Sequence, residues 1–378
     1  MEAGVPQGSV LGPVLWNIAF DEILDLAEEE EDSSVICYAD DTLIVVTGKD
    51  CGLTRLRTSL LVARAILRIS NLGLKVAKEK TEAILFHGRG LTHLPSSIMV
   101  GDASISLSPS IKYLGVFVDI RWTFSDHFRY VDQKARKVIR AFNCLMPNLR
   151  GPDERRRRLF ANVVLSVILY GAPVWGDAIA TSKLLPALYR LQRSVAQRVI
   201  SAYRTVSSNA ALLLARIPPI KLLAVMRKRA YERIKTHRED GNMDAQTIKE
   251  IRDSEFANLC EAWRDILKKP NTPGEFTKLI IVPRLEAWLN RASINGITFH
   301  ITQVLTGHGC FSKYLRRIGR KTNTMCFLCG EDVDDVYHTL KECPAWDTQR
   351  LTFKRALNLS RDFTLGDILD DAIASRDS

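Results

Sequence analysis

Two short apolar runs, Val35-Ile36-Cys37-Tyr38 and Leu43-Ile44-Val45-Val46, stand only four residues apart. Runs of this composition on either side of so short a connection predict a β-hairpin. The connection, Ala39-Asp40-Asp41-Thr42, places two adjacent carboxylates at its tip. Asp is common in turns for local reasons, so taken alone the tetrapeptide is better explained as a solvated turn. A helix is predicted before the hairpin over residues 14–27, opened by Gly12 and Pro13, and another after it over 53–71, stopped by Gly73. Short strands are predicted around 83–86, 105–107 and 113–118, which makes residues 1–120 α+β.

Beyond this region the period changes to that of helices. Phe128, Val131, Ala135, Val138, Phe142 and Leu145 recur at steps of three and four, with Arg129, Lys134, Arg136, Lys137 and Arg140 between them. One face packs and the other is basic. Further helices are predicted at 153–170, 183–203, 208–216 and 219–238, with a break at Pro218-Pro219 and a joint at 269–274. Charge follows the same division. Residues 1–120 hold 10 basic and 16 acidic side chains, residues 121–240 hold 24 and 8, and residues 241–378 hold 19 and 19. The net charge of +10 thus comes from a middle segment of +16, a field suited to a polyanion because Lys and Arg contacts to phosphate supply most sequence-independent nucleic-acid binding. The run Arg155, Arg156, Arg157 and Arg158 is the densest part of it and a candidate contact to a nucleic-acid backbone, the plainer reading being a solvated face.

A chain of 378 residues with 46% hydrophobic and 25% charged side chains exceeds one ordinary domain and is far from the composition of a disordered one. No basic segment followed by an apolar one opens it, and the longest apolar run, 159–170, falls short of the roughly 20 residues a membrane span needs. Eight Cys are too few for a disulfide scaffold of this size, which points to a reducing, intracellular setting without a membrane. Four potential metal ligands do gather near the C-terminus: Cys326, Cys329, His338 and Cys343, spaced C-x2-C-x8-H-x4-C. Three thiolates and an imidazole suit tetrahedral Zn²⁺, with Gly330 closing the turn of the first pair. Such a closed set leaves no position for a hydrolytic water, so its role is structural or nucleic-acid-binding. His308 and Cys310 lie just upstream as alternative ligands.

About thirty residues before the carboxylate tip stands Gly4-Val5-Pro6-Gln7-Gly8-Ser9-Val10-Leu11-Gly12-Pro13. Its glycines allow close backbone approach to a base pair, while the amide of Gln7 reaches a nucleotide or template. A Gly/Pro loop starting a helix accounts for the Gly and Pro but not for the Gln, the Ser or the hairpin that follows. Nucleotidyl transfer, for its part, needs carboxylates on a rigid turn to hold Mg²⁺. Together, Pro6-Gln7-Gly8-Ser9 with Gly12-Pro13, Tyr38-Ala39-Asp40-Asp41, Gly73-Leu74 with Lys80-Thr81, and Tyr113-Leu114-Gly115 resemble, in order, palm motifs B, C, D and E of a reverse transcriptase. The resemblance is to non-LTR retrotransposons, in particular the R-one clade of type-1 elements of arthropod ribosomal DNA. It continues through Tyr170-Gly171-Ala172-Pro173-Val174-Trp175, Gln192-Arg193, the segment 201–207, Gly307-His308-Gly309 and Cys343-Pro344-Ala345-Trp346, nearly the whole chain.

The resemblance implies a partial palm over 1–120, a basic helical thumb over 121–240 and a helical, nucleic-acid-binding domain over 241–378 with a zinc knuckle at 326–343. It implies Asp40 as a Mg²⁺ ligand with Asp41 beside it, and Pro6, Gln7, Gly8 and Ser9 at the template and nucleotide. Lys80 becomes a candidate general acid near the pyrophosphate, or a solvated Lys, and Tyr113, Leu114 and Gly115 a primer grip. The implied partners are an RNA template, nicked target DNA and dNTPs, in the nucleus. The family's first metal-binding Asp precedes motif B, and no Asp stands ahead of Pro6 here. The expectation is therefore the C-terminal part of a longer polyprotein that carries an endonuclease upstream and acts by target-primed reverse transcription, the isolated chain being inactive. A non-catalytic, nucleic-acid-binding remnant is the alternative.

Overall fold

Pro13 sits in the first turn of α1 (Gly12–Leu24), where a missing N–H costs nothing. The helix continues as a 3-10 turn to Ala27 and buries Phe20, Ile23 and Leu26. Against these pack Val35 of β1 (Ser33–Tyr38), Ile44 and Val46 of β2 (Asp41–Val46), and Leu61 and Ala65 of α2 (Cys51–Asn71). Asp50 caps α2 by accepting from Leu53 N at 2.7 Å, and Gly73, at φ +75°, follows its last turn. Two more hairpins complete this part: β3 (Ser97–Val100) with β4 (Ala103–Ser106), and β5 (Ser110–Tyr113) with β6 (Val116–Asp119). Each of the three is a separate two-stranded antiparallel sheet. The expected strand at 83–86 is reduced to one bridge, Ala83 to Leu107, and the expected strand 113–118 is instead a hairpin turn flanked by two strands.

The computed structural model describes residues 8–27, 32–88, 94–147, 151–241, 244–291, 296–330, 333–356, 358 and 363–374. The elements above belong to one compact unit, Met1–Thr123, and the helices that follow to a second, Phe124–Ser378. Mixed helix and strand agrees with the α+β class read from the sequence.

The second unit is helical: α3 (Ser125–Asn143), α4 (Glu154–Ile168), α5 (Ala172–Trp175), α6 (Leu185–Val199), α7 (Ser208–Ala215), α8 (Ile220–Glu239), α9 (Ala245–Lys268), α10 (Glu275–Ile281), α11 (Leu285–Asn290), α12 (Phe299–Thr306), α13 (Ser312–Arg317), α14 (Asp347–Ala356) and α15 (Leu365–Ala374). α3 buries Phe128, Val131, Ala135 and Ile139 and turns Arg129, Lys134, Arg136, Lys137 and Arg140 outward. The Pro218-Pro219 break is spanned by Gln192, whose amide donates to Pro218 O at 2.7 Å and accepts from Ile220 N at 3.0 Å. α7 is buried almost throughout. α8 and α9 pack along each other across residue 241, where the sequence had suggested a domain boundary. Among the described residues no single helix is long and apolar enough to cross a membrane.

This unit buries an ion cluster. The Glu154 carboxylate is fully buried and accepts from Arg216 at 3.1 Å, from Arg291 at 2.9 and 3.1 Å and from Ile297 N at 2.6 Å. A buried carboxylate is tolerated when paired and hydrogen-bonded on all sides, and this one is.

Candidate active site and metal centre

The hairpin register sets the first site. Tyr38 pairs with Asp41, so the loop is only Ala39 and Asp40, and Asp41 is the first residue of β2 rather than part of the tip. Both carboxylates are exposed, and neither makes an ion pair among the described residues. Ala39 lies in the left-handed region at φ +53°. Its carbonyl accepts from the indole N–H of Trp16 at 2.9 Å, a contact with no signal in the hairpin sequence itself. Trp16 in turn stacks on the buried Phe20 with ring centroids 4.8 Å apart. Since α1 starts at Gly12, one helix carries both the end of the Gly-rich motif and the group that grips the hairpin tip.

Tyr113 feels the charge of this hairpin. Its phenol is pushed up first by burial and then by the negative charge of Asp41 and by Cys37. Leu114 and Gly115 form the β5–β6 turn with φ +44° and +83°, the pair of positive values a tight hairpin requires. Lys80 ends an exposed 3-10 turn, Lys78–Lys80. The ion pair of that turn is made by Lys78, with Asp102. Gly8, at φ +88°, and Ser9 precede α1, while Pro6 and Gln7 lie outside the described residues. Two adjacent exposed carboxylates on a short fixed turn suit Mg²⁺, which takes one or two protein carboxylates and fills the rest of its shell with water and phosphate oxygens.

The second site is the Cys/His cluster. Ligand atoms of Cys326, Cys329, His338 and Cys343 all lie within 4.8 Å of one another. The Cys326 and Cys343 sulfurs are 3.9 Å apart, and Cys329 Sγ is 3.4 Å from His338 Nε2. A tetrahedron built on Zn–S bonds of about 2.3 Å and Zn–N bonds of about 2.0 Å has edges of roughly 3.5–3.8 Å, close to these two, so the four side chains could hold a metal ion with small adjustment. Gly330, at φ +74°, closes the first turn by donating its N–H to Cys326 O at 3.0 Å. Burial raises the Cys326 thiol, but backbone N–H groups of Cys329 and Leu328 together with His338 and Cys329 outweigh it and bring the thiol down to about 7. His338 Nδ1 points away from the cluster, 3.7 Å from Glu342. Asp334 anchors the module by accepting from Ser312 N and Oγ, both at 2.8 Å. His308 and Cys310 stand outside: His308 is 3.1 Å from Thr205 Oγ1 and 2.7 Å from Arg317, and stacks on Tyr314.

The arginine run divides. Arg155 and Arg156 are exposed and line, with Asp153, Arg158 and Asn162, an open groove of about 570 Å³. Arg157 is buried instead, donating to the carbonyls of Pro147 at 2.5 Å, Pro152 at 2.6 Å and Arg198 at 2.8 Å, and Arg158 donates to Ala215 O. Of the four residues expected at a nucleic-acid backbone, Arg157 is thus buried and Arg158 half-buried, their guanidinium groups bonded to neighbouring carbonyls, while Arg155 and Arg156 stay exposed. Helical period gave the signal that was missed: Glu154, Arg157, Ala161, Val164 and Ile168 share the buried face of α4.

Residues 1–118 match the family Reverse transcriptase (RNA-dependent DNA polymerase). Along almost its whole length the chain is similar to the Retrovirus-related Pol polyprotein from type-1 retrotransposable element R1 of Bradysia coprophila, 28% identical over 92% of this chain and 35% of the relative. A second relative is the Putative 115 kDa protein in type-1 retrotransposable element R1DM of Drosophila melanogaster, 27% identical over 97% of this chain and 36% of that protein. The RNA-directed DNA polymerase from mobile element jockey of the same fly is 28% identical over 53% of this chain and 22% of its own length. No solved structure matches. The chain spans about a third of the length of the two R1 relatives. Residues 1–118 thus match a reverse transcriptase, and along almost its whole length the chain is similar to proteins of type-1 R1 retrotransposable elements.

Proposed function

We propose that this chain supplies the carboxylate hairpin, the primer-facing turn and the basic helices of an RNA-directed DNA polymerase that copies element RNA from a primer on nicked target DNA in the nucleus. The observation that carries the reading is the hairpin tip: Asp40 on a two-residue loop, Asp41 beside it, and the helix that follows Gly8 and Ser9 bonded to the loop through Trp16. Mg²⁺ bound there activates the primer 3′ hydroxyl and stabilises the leaving pyrophosphate. Asp40 holds the metal and Asp41 supports it. Pro6, Gln7, Gly8 and Ser9 face the template and incoming dNTP, Tyr113, Leu114 and Gly115 orient the primer end, and Lys80 gives a proton to the pyrophosphate. Residues 1–120 act as the palm in this reading and 121–240 as the thumb, where Arg155 and Arg156 touch phosphate. Residues 241–378 form a nucleic-acid-binding domain whose Cys326, Cys329, His338 and Cys343 hold a structural Zn²⁺. Nicking of the target belongs to an endonuclease elsewhere in the intact polyprotein.

The test is a chimera in which this chain replaces the aligned 365 residues of the Bradysia relative. Primer extension on an RNA template should match that of the parent polyprotein and should disappear with Asp40→Ala. Extension by the Asp40→Ala chimera at the parental rate would remove the hairpin from the reaction.

A further inference from the structure

We propose that Trp16 is a positioning residue for Asp40, tying the carboxylate-bearing hairpin tip to the helix behind the Gly-rich motif. The inference rests on the polymerase reading above and assigns a role to a residue outside its four motifs.

The carbonyl that Trp16 grips belongs to the peptide joining Ala39 to Asp40, and the indole N–H reaches it at 2.9 Å. Orientation of that peptide plane sets the direction in which the Cα–Cβ bond of Asp40 leaves the backbone, because the peptide is planar and only two dihedrals separate it from the side chain. Ladder hydrogen bonds stop at the Tyr38–Asp41 pair, so they leave this plane unfixed. Nor does Ala39 rest there by preference: φ is +53°, where a residue with a Cβ pays roughly 1–2 kcal/mol. A strained loop residue persists when its surroundings over-determine it, and Trp16 is the constraint.

Trp16 is itself well held. It stacks on Phe20, one helical turn along α1, with rings inclined by only 19°. Phe20 is buried among Ile23, Leu26, Val35 and Leu61. The linkage therefore runs from the unit's core through Phe20 and Trp16 to the peptide ahead of Asp40. Packing alone asks for an aromatic ring at position 16 and is indifferent to its N–H. Positioning asks for the N–H. That difference makes the idea testable.

The full 378-residue chain is titrated with Mn²⁺ alone, following free ion by electron paramagnetic resonance, in four forms: native, Asp40→Asn, Trp16→Phe, and a form carrying β-(3-benzothienyl)alanine at position 16, which keeps the indole's shape without its N–H. Asp40→Asn should abolish the site. Both Trp16 forms should weaken Mn²⁺ binding about 2- to 10-fold, the worth of one hydrogen bond, with the far-ultraviolet circular dichroism unchanged. In the native chain the Trp16 indole N–H resonance should shift on adding Mg²⁺, and in Asp40→Asn it should stay. If Asp40→Asn binds Mn²⁺ as well as the native chain, the polymerase metal site fails and the inference with it. Loss of binding in Asp40→Asn with native affinity in the benzothienyl form leaves that site standing and overturns the role of Trp16. An indole resonance indifferent to Mg²⁺ overturns it without any variant having to fold.

Discussion

Replacing Arg155 and Arg156 together by Gln separates what the arginine run does for nucleic acid from what it does for the fold. Both side chains are exposed on the first turn of α4, where the helix dipole disfavours positive charge by about 0.3–1 kcal/mol each. Their removal should leave stability within about 0.5 kcal/mol of the native chain or raise it slightly. Each phosphate contact contributes about 0.9 to the slope of log affinity against log salt on duplex DNA and about 0.7 on a single strand. The double variant should therefore flatten the slope by about 1.4–1.8, so that the affinity lost between 50 and 200 mM salt shrinks roughly tenfold. Arg157→Gln should do the opposite. It withdraws a charged donor from three carbonyls in a buried position, at a cost of about 2–4 kcal/mol, and leaves the slope alone. Fluorescence anisotropy with a labelled oligonucleotide over that salt range, paired with urea unfolding, measures both quantities. An unchanged slope in the double variant, or a slope that Arg157→Gln lowers equally without loss of stability, would refute the division.

Three further outcomes follow from the helical unit. Glu154→Ala leaves the buried guanidinium groups of Arg216 and Arg291 without their counter-charge and should cost about 3–5 kcal/mol in urea unfolding. Elemental analysis should find one Zn²⁺ per chain, lost with Cys329→Ser and retained with Cys310→Ser, and chelation should remove amide protection around 322–346 while α3 and α4 keep theirs. Burial holds His127 down to about 4, and burial with the nearby Arg317 does the same for His308. Unfolded His takes up its proton near 6.5, so stability is full above that value and should fall by about 1–3 kcal/mol as pH drops from 6.5 to 4. A urea midpoint constant across that window would show that neither ring is held neutral.

The helices were legible because period, caps and breakers agreed: Asp50 and Asp153 are N-caps, Gly73 follows α2, and Pro218-Pro219 separates α7 from α8. The carboxylate hairpin was legible for the same reason, although the sequence did not show that Asp41 enters the ladder. Strands were harder. The run 83–86 is apolar enough for a strand, but a strand needs a partner in register, and only Ala83 finds one. Long-range groups left no local trace. Trp16 lies 23 residues from the carbonyl it holds, and Arg193 reads as one more surface charge until its guanidinium is seen bonded to Arg204 O and Val206 O at 2.8 and 2.9 Å. The Cys326, Cys329, His338 and Cys343 cluster was recognisable because the chemistry of a metal shell dictates residue type as well as spacing.

The ion cluster also orders events during synthesis. Arg216, Arg291 and Ile297 follow Glu154 by 62, 137 and 143 residues. At a ribosomal rate of about 5–20 residues per second, the last of them is made about 7–30 s after Glu154. Through that interval α4 carries an acid on its core-facing side with its set of donors incomplete, and it cannot dock without desolvating a half-paired charge. Docking of α4 should therefore come late, however early it is translated, together with the segment that leads to the Cys/His cluster. Cutting the chain near residue 240 would retain Arg216 but withdraw Arg291 and Ile297 permanently, so nascent chains or proteolytic products ending there should be held by chaperones or degraded rather than persist as a free nucleic-acid-binding piece.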